Sequence, residues 1–185
     1  IGVKKDGTIL ALDHKIDWDA GAYVEYGANV VNAVGLSATG PYRIPHVSID
    51  SVCVYTNLPP GGAYRGFGYS EFLFGLESHM DRIARELKID PVEIRRRNAI
   101  REGDTLPYGA EMNASALVEA IDRVRKEIEW GTRETSPDPT KAIGKAVCCF
   151  WKAPAMPPNA SSSAFLKFNE DASLNILVSG MDIGQ

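Results

Sequence analysis

Pro59-Pro60-Gly61-Gly62-Ala63-Tyr64-Arg65-Gly66-Phe67-Gly68 decides how this chain is read. The stretch gathers four of the chain's 17 glycines into eight positions, around one cation and two aromatics. Residues 47–57 before it have the composition of a strand, and residues 71–88 after it have amphipathic helical spacing. A glycine-rich bend between strand and helix bares backbone N–H groups and lets a ligand approach the main chain. The positive end of the following helix adds to that potential, so a phosphate or oxo-anion is the natural guest. No Gly-Lys-Ser/Thr follows, which excludes a Walker loop, and the GxGxxG spacing of a dinucleotide fold is missing. On these residues alone the bend is as consistent with turn chemistry as with a site.

Downstream, Phe72, Leu73, Leu76, Met80, Ile83, Ala84 and Leu87 keep helical spacing, with Asp81 and Arg85 four residues apart on the polar side. Gly75 within that pattern predicts close packing against another backbone, because glycine in a helix costs about 1 kcal/mol relative to alanine. Asp90-Pro91-Val92-Glu93 carries a helix start, with Asp90 as N-cap and Glu93 placed for a capping box. That short helix runs to Asn98, and Arg95, Arg96 and Arg97 are expected to face solvent or an acidic neighbouring subunit. A further helix is predicted over 114–130, with Leu117, Ile121, Val124 and Ile128 on one stripe, before a polar linker over 131–140. Residues 142–151 are apolar enough for a strand. A Pro-rich loop then leads to a hairpin of 163–168 and 174–179 around the turn 169–173.

Upstream, Lys5-Asp6-Gly7 marks a hairpin, since Asp-Gly tolerates the positive φ of a tight turn. Leu10, Leu12, Ile16 and Trp18 alternate onto one face with His14, which reads as a partly buried strand residue. Asp13, Asp17 and Asp19 share the other face, conceivable as a cation site but simpler as a solvated surface. Residues 21–40 read as irregular with a short helix over 24–34, and Tyr42 to Pro45 returns to extended structure. The class is α+β: mixed strands and hairpins in groups, with about three helices between them.

At 185 residues, 44% hydrophobic and 24% charged, the chain has the composition of a water-soluble domain. A net charge of −4 and a pI near 5.4 argue against a nucleic-acid surface. No apolar run approaches the ~18 residues of a membrane span. Cys53, Cys148 and Cys149 are an odd number without C-x-x-C spacing, which disfavours a disulfide framework, a zinc site or an iron–sulfur cluster and suits a cytoplasmic protein. The chain starts at Ile1 without Met and stops at Gln185 within a motif, as a piece of a longer polypeptide would.

Ala63-Tyr64-Arg65-Gly66-Phe67-Gly68 followed by a helix resembles a cofactor-contacting loop of the molybdenum hydroxylases, the xanthine dehydrogenase and aldehyde oxidase family. Val178-Ser179-Gly180-Met181-Asp182-Ile183-Gly184-Gln185 is similar to that family's Gly-x-x-x-x-Gly-Gln segment at the molybdopterin. Asp6-Gly7-Thr8-Ile9, Tyr42-Arg43-Ile44-Pro45 and the helix from Asp90-Pro91 to Asn98 fall in the family's order between them. The resemblance implies part of a molybdopterin-binding domain, with a first lobe over 1–140 carrying the cofactor loop and the start of a second over 141–185. It implies hydroxylation of an N-heteroaromatic or purine-like substrate with water as the oxygen source. The alternatives are an aldehyde oxidoreductase or aromatic-thioester reductase of the same superfamily, and a non-catalytic binding or assembly module.

By the same resemblance, Arg65, Gly66, Phe67, Gly68, Gly184 and Gln185 contact a molybdenum–molybdopterin cofactor, with the cytosine dinucleotide among its candidate forms. Phe67 packs on the substrate ring. Iron–sulfur clusters and FAD belong to other domains or subunits, which are the expected partners together with the rest of the molybdopterin-binding subunit. The family's general base is a glutamate of a later Gly-x-Gly-Glu segment, so no catalytic residue and no metal ligand is assigned here. Ala33 stands by rough alignment where purine-oxidising relatives carry an arginine, and Gly66 where carbon-monoxide-oxidising relatives carry a cysteine. Ser70-Glu71 replaces the usual Pro-Gln pair after the loop.

Overall fold

The structure, a computed structural model, describes residues 1–23, 25–152 and 162–179. They fall into two compact units, Ile1–Lys152 and Ala153–Gln185. The first opens with the expected hairpin: β1 (Gly2–Val3) and β2 (Ile9–Asp19) pair antiparallel. Gly7 at φ 86° donates its N–H to the Lys4 carbonyl at 2.9 Å, and the Asp6 carboxylate accepts from the Thr8 N–H at 3.0 Å. Gly2 faces Ala11 while Val3 faces Ile9, so Leu10 is an extra residue, a bulge. The bulge turns Leu10 outward and buries Ile9, which corrects the simple alternation expected from Leu10 onward. Beyond it Leu12 is buried and His14, Ile16 and Trp18 are half-buried as expected. Among the described residues His14 Nδ1 is buried without a hydrogen-bond partner, and its ring lies 5.3 Å from that of Phe72. Burial lowers the His14 pKa below its ordinary 6.5.

β3 (His46–Val54) runs parallel to β2 in unbroken register, from Ala11 opposite His46 to Asp19 opposite Val54. Parallel neighbours need a crossover, and α1 (Gly27–Leu36) supplies it. The helix starts three residues later than the spacing predicts. α2 (Tyr69–Leu87) buries Phe72, Leu73, Leu76, Met80, Ile83 and Ala84, the face its period predicts. Each of the larger side chains contributes about 1.5–3 kcal/mol by leaving water. Lys88 at φ 57° ends the helix, with the Ile89 N–H returning to the Ala84 carbonyl at 2.9 Å. Gly75 meets nothing within 4 Å of where a Cβ would stand, so the expected close packing is absent among the described residues.

α3 (Pro91–Asn98) starts as predicted, with the Asp90 carboxylate accepting from the N–H groups of Val92 and Glu93 at 2.9 and 3.0 Å. Glu93 does not close the capping box; it accepts from Arg97 at 3.3 Å instead. α4 (Leu117–Glu127) is shorter than 114–130, and Ile121 carries its buried contact. Among the described residues four helices therefore form, the crossover helix included. Residues 142–151 contain no strand: they follow an irregular path with Cys149 buried.

Arg95 overturns the expectation that the three arginines face outward. Its side chain is 1% exposed. Its Nε donates to Glu77 Oε2 at 2.7 Å, Nη1 to Asp81 Oδ1 at 2.7 Å and to the Pro91 carbonyl at 2.9 Å, and Nη2 to the Glu77 carbonyl at 3.1 Å. Tyr42 donates a very short hydrogen bond to the other Glu77 oxygen, and the Cys149 N–H donates to Glu77 Oε2 at 3.1 Å. Burial by itself would lower the Arg95 pKa, but Glu77, Tyr42 and Asp81 raise it above its ordinary value. Burial, reinforced by Glu77, pushes the Cys149 thiol up to about 11. A buried guanidinium is tolerated because its donors are matched by acceptors from two helices. Arg96 and Arg97 stay at the surface, Arg96 on Asp122 at 2.7 Å.

The described part of the second unit is the expected hairpin, β4 (Ala164–Phe168) antiparallel to β5 (Leu174–Val178). Asn169 donates to the Ser173 carbonyl at 2.9 Å across the turn, with Ala172 at φ 65°.

Candidate functional site

The bend at 59–68 is held in place by the exit of the neighbouring strand. Past the last ladder pair, the Ala20 N–H donates to the Val54 carbonyl at 2.9 Å and the Thr56 N–H to the Gly21 carbonyl at 3.0 Å. The Ala22 N–H then donates to Leu58 and the Gly61 N–H to Ala20, at 2.9 and 3.0 Å. Gly21 sits at φ 71° with the Pro59 main chain where a Cβ would be. Asp19 fixes the corner, accepting from the Gly21 N–H at 2.8 Å and the Thr56 hydroxyl at 2.6 Å. The Thr56 and Gly21 hydrogen bonds hold its carboxyl below the usual range. Asp19 is thus a turn anchor. Among the described residues, no group of three or more His, Cys, Asp or Glu side chains suits a metal ion.

Three consecutive residues of the bend are left-handed: Gly66 at φ 111°, Phe67 at 54° and Gly68 at 83°. For a phenylalanine that conformation stores strain of about 1–3 kcal/mol. Its neighbours cannot be other than glycine without movement. A Cβ on Gly68 would stand 2.9 Å from Val34 and 3.2 Å from the Trp18 ring, and one on Gly66 would overlap the Ser70 hydroxyl. Gly62 is likewise crowded by the Glu25 carboxylate. Within the bend the Phe67 N–H donates to Tyr64 at 3.0 Å and the Tyr69 N–H to Gly66 at 3.1 Å. The N–H groups of Gly62, Ala63, Tyr64, Arg65 and Gly66 find no acceptor among the described residues. Gly68 caps α2 and has no side chain to close its positive end. Five unclaimed donors beside an open helix start form a surface for acceptor-rich, negatively charged groups.

Arg65 is exposed, with no ion pair among the described residues, while Phe67 is half-buried against the core. The structure therefore brings Arg65, Gly66, Phe67 and Gly68 together on one bend at the head of α2. Gly184 and Gln185 lie outside the described residues, as does the whole stretch 180–185. A cavity of about 120 Å³ lies beside the bend, lined by Trp18, Asp19, Gly61, Gly62, Gly68 and Glu71 among others. The Ser70-Glu71 pair has a place here: Glu71 lines the cavity and Ser70 fills the space over Gly66. Ala33 is turned toward the core, and its carbonyl accepts from the Tyr69 hydroxyl at 3.3 Å.

Sequence reasoning missed two residues that flank the bend, Glu25 over Gly62 and Tyr26 beside Phe67, with ring centroids 6.4 Å apart and planes tilted by 60°. Both come from the segment entering α1, and no local pattern marks them. Only Gly21, a glycine at a strand exit, hinted that two main chains meet there.

These features define an α+β module with a donor-rich glycine bend at the head of α2, and comparison with known proteins gives its family. Residues 1–99 match the molybdopterin cofactor-binding domain. The chain is 35% identical to the xanthine dehydrogenase molybdenum-binding subunit of Escherichia coli O157:H7, over all of this chain and 25% of that protein. It is 33% identical to the aldehyde oxidoreductase of Megalodesulfovibrio gigas, over 98% of this chain and 20% of that protein. Among solved structures, the aldehyde oxidoreductase from Desulfovibrio gigas superposes with a TM-score of 0.67 over 94% of this chain and 19% of that one, at 26% identity. The chain belongs to the molybdopterin cofactor-binding domain family, within the group that contains xanthine dehydrogenase and aldehyde oxidoreductase. It spans a fifth to a quarter of the length of these curated relatives, 20% of one and 25% of the other. No helix among the described residues is long and apolar enough to cross a membrane.

Proposed function

We propose that this chain is the part of a molybdenum hydroxylase that holds the pterin cofactor beside an N-heteroaromatic or purine-like substrate, with water as the oxygen source. The observation that carries the reading is the run of five unclaimed N–H groups on a bend of three left-handed residues. A pterin dinucleotide is rich in phosphate, carbonyl and ring-nitrogen acceptors, and residues 59–68 offer donors, one cation and no carboxylate. The residues present fit the group. The N–H groups of Arg65 and Gly66 would donate to it, and Gly62, Gly66 and Gly68 allow close approach. Gly184 and Gln185 are assigned to the same cofactor. When bound, the cofactor supplies the oxidation–reduction chemistry. The chain positions it, and Phe67 offers an aromatic wall that orients a planar guest and excludes water from one side.

The cytosine dinucleotide is one candidate form of that cofactor. Iron–sulfur and FAD subunits or domains, the remainder of the molybdopterin-binding subunit and a cytoplasmic setting complete the proposal. Oxidation of aldehydes is the second reading. Ala33, which by the resemblance stands where purine-oxidising relatives carry an arginine, and the superposition on an aldehyde oxidoreductase both favour it. The full-length complex, purified and screened with an artificial electron acceptor, decides between them. Molybdenum and pterin in the complex, with labelled oxygen passing from water to a heteroaromatic product, are the expected results. Turnover of aldehydes alone would select the second reading, and a complex without pterin would leave only a non-catalytic module. The isolated 185-residue chain is expected to be inactive.

A further inference from the structure

We propose that Tyr69 is a positioning residue: it braces the head of α2 against the last turn of α1 and so holds the donor bend in its binding shape. The inference rests on the reading of the bend given above. Tyr69 is the first residue of α2 and is 2% exposed. A phenol taken out of water must find a partner for its hydroxyl, and here both partners lie on α1. The hydroxyl donates to the Ala33 carbonyl at 3.3 Å and lies 3.0 Å from Ser37 Oγ. A phenol has one proton, so with that proton on Ala33 it accepts from the Ser37 hydroxyl. Ala33 belongs to the last turn of α1, where helix carbonyls lack an intrahelical partner. Tyr69 supplies that partner from a different helix. Ser37 is buried, and its carbonyl accepts from Trp151 Nε1 at 3.3 Å, which ties the irregular segment 142–151 to the same turn.

The main chain of Tyr69 grips the bend from the other side. Its N–H donates to the Gly66 carbonyl at 3.1 Å, and the Phe72 N–H closes the first helical turn on the Gly68 carbonyl at 3.2 Å. The bend also rests directly on α1, since a Cβ on Gly68 would stand 2.5 Å from Val30 and 2.9 Å from Val34. One residue thus connects left-handed Gly66 to α1. At its entry the bend is fixed by Asp19, Gly21 and the strand exits, and Tyr69 is the matching fixture at its exit. Three successive left-handed residues are strained, so their shape depends on what holds the two ends. A bend held in shape before its ligand arrives avoids part of the ordering cost of binding. Loss of the brace should therefore show as weaker hold on the cofactor, with the fold kept.

The test uses the full-length holo complex. Bound pterin is counted in the purified protein, and its release after dilution is followed by the fluorescence of the freed, oxidised pterin. Tyr69→Phe keeps the ring and removes only the hydroxyl, and release is expected to run about three- to tenfold faster than in wild type. Ser37→Ala removes one of the two hydroxyl contacts and is expected to speed release about two- to threefold. The double variant should release no more than about twofold faster than Tyr69→Phe, because both changes break one link. Rates that multiply would put the two hydroxyls on separate paths and overturn the brace. Ile121→Val is the control: it loosens the core at α4, away from the bend. Its release, compared at an equal fall in urea midpoint, is expected to stay within about twofold of wild type. Equal acceleration there would mean that Tyr69→Phe acts by general loosening, and overturns the proposal. Release from Tyr69→Phe at the wild-type rate overturns the brace and leaves the bend's role standing. A wild-type complex without pterin overturns the reading of the bend, and the brace with it. Should Tyr69→Phe fail to assemble, Ser37→Ala decides by the same comparison with Ile121→Val.

Discussion

The two ends of α2 are opposites. From its midpoint toward the C-terminus, Glu77 and Asp81 are gripped by Arg95, four hydrogen bonds satisfy the guanidinium, and Tyr42 and Cys149 occupy what is left of Glu77. At its N-terminal end, three left-handed residues lead in and five N–H groups point at nothing in the described chain. One end is saturated and the other is held open. The contrast teaches that this helix joins two duties by a few turns of backbone: the closed end fixes where the open end sits, so the open end can keep donors in reserve for a ligand.

That contrast can be broken at three points. The largest effect is expected for Arg95→Ala, which strands Glu77 in the interior and costs about 3–5 kcal/mol in urea unfolding of the full-length protein. A loss below about 1 kcal/mol would show that the cluster is not the anchor. Gly68→Ala comes next. It forces a Cβ against Val34 and Trp18 at positive φ, for a loss of about 2–3 kcal/mol and reduced pterin content in the purified complex. Unchanged pterin content at lowered stability would separate the bend's shape from its binding role. The smallest effect is Gly75→Ala, where open space surrounds the missing Cβ, and unfolding should show a gain of about 0.5–1 kcal/mol. A loss there instead would mean that the outer face of α2 is covered in the complete protein.

What the sequence revealed was local. The 3.6-residue period of α2, the Asp90-Pro91 start of α3 and the turns at Asp6-Gly7 and 169–173 all depend on neighbours a few positions away, and each is found where its residues place it. Arg95 was unreadable because its burial depends on carboxylates 14 and 18 positions upstream on another helix. Residues 142–151 misled for a related reason: an apolar run says that something is buried, not that a partner strand exists, and here Cys149 docks on Glu77 without one. Leu10 shows that one bulge is enough to reverse a face. The site was legible to the same extent. The bend declared itself through its glycines, but Glu25 and Tyr26 did not, since they reach it from the exit of a different strand.

The parallel course of β2 and β3 has a practical consequence for protein engineering. Both strands discharge their chains at the same edge, so residues 20–22 and 54–61 are laced together there by backbone hydrogen bonds, although about 35 to 40 positions separate the partners. Transplanting the glycine bend alone into another scaffold would leave Gly21, Glu25 and Tyr26 behind, and with them the mould that gives it its shape. The portable unit is the pair of strand exits, and insertions in either one must be matched by the other.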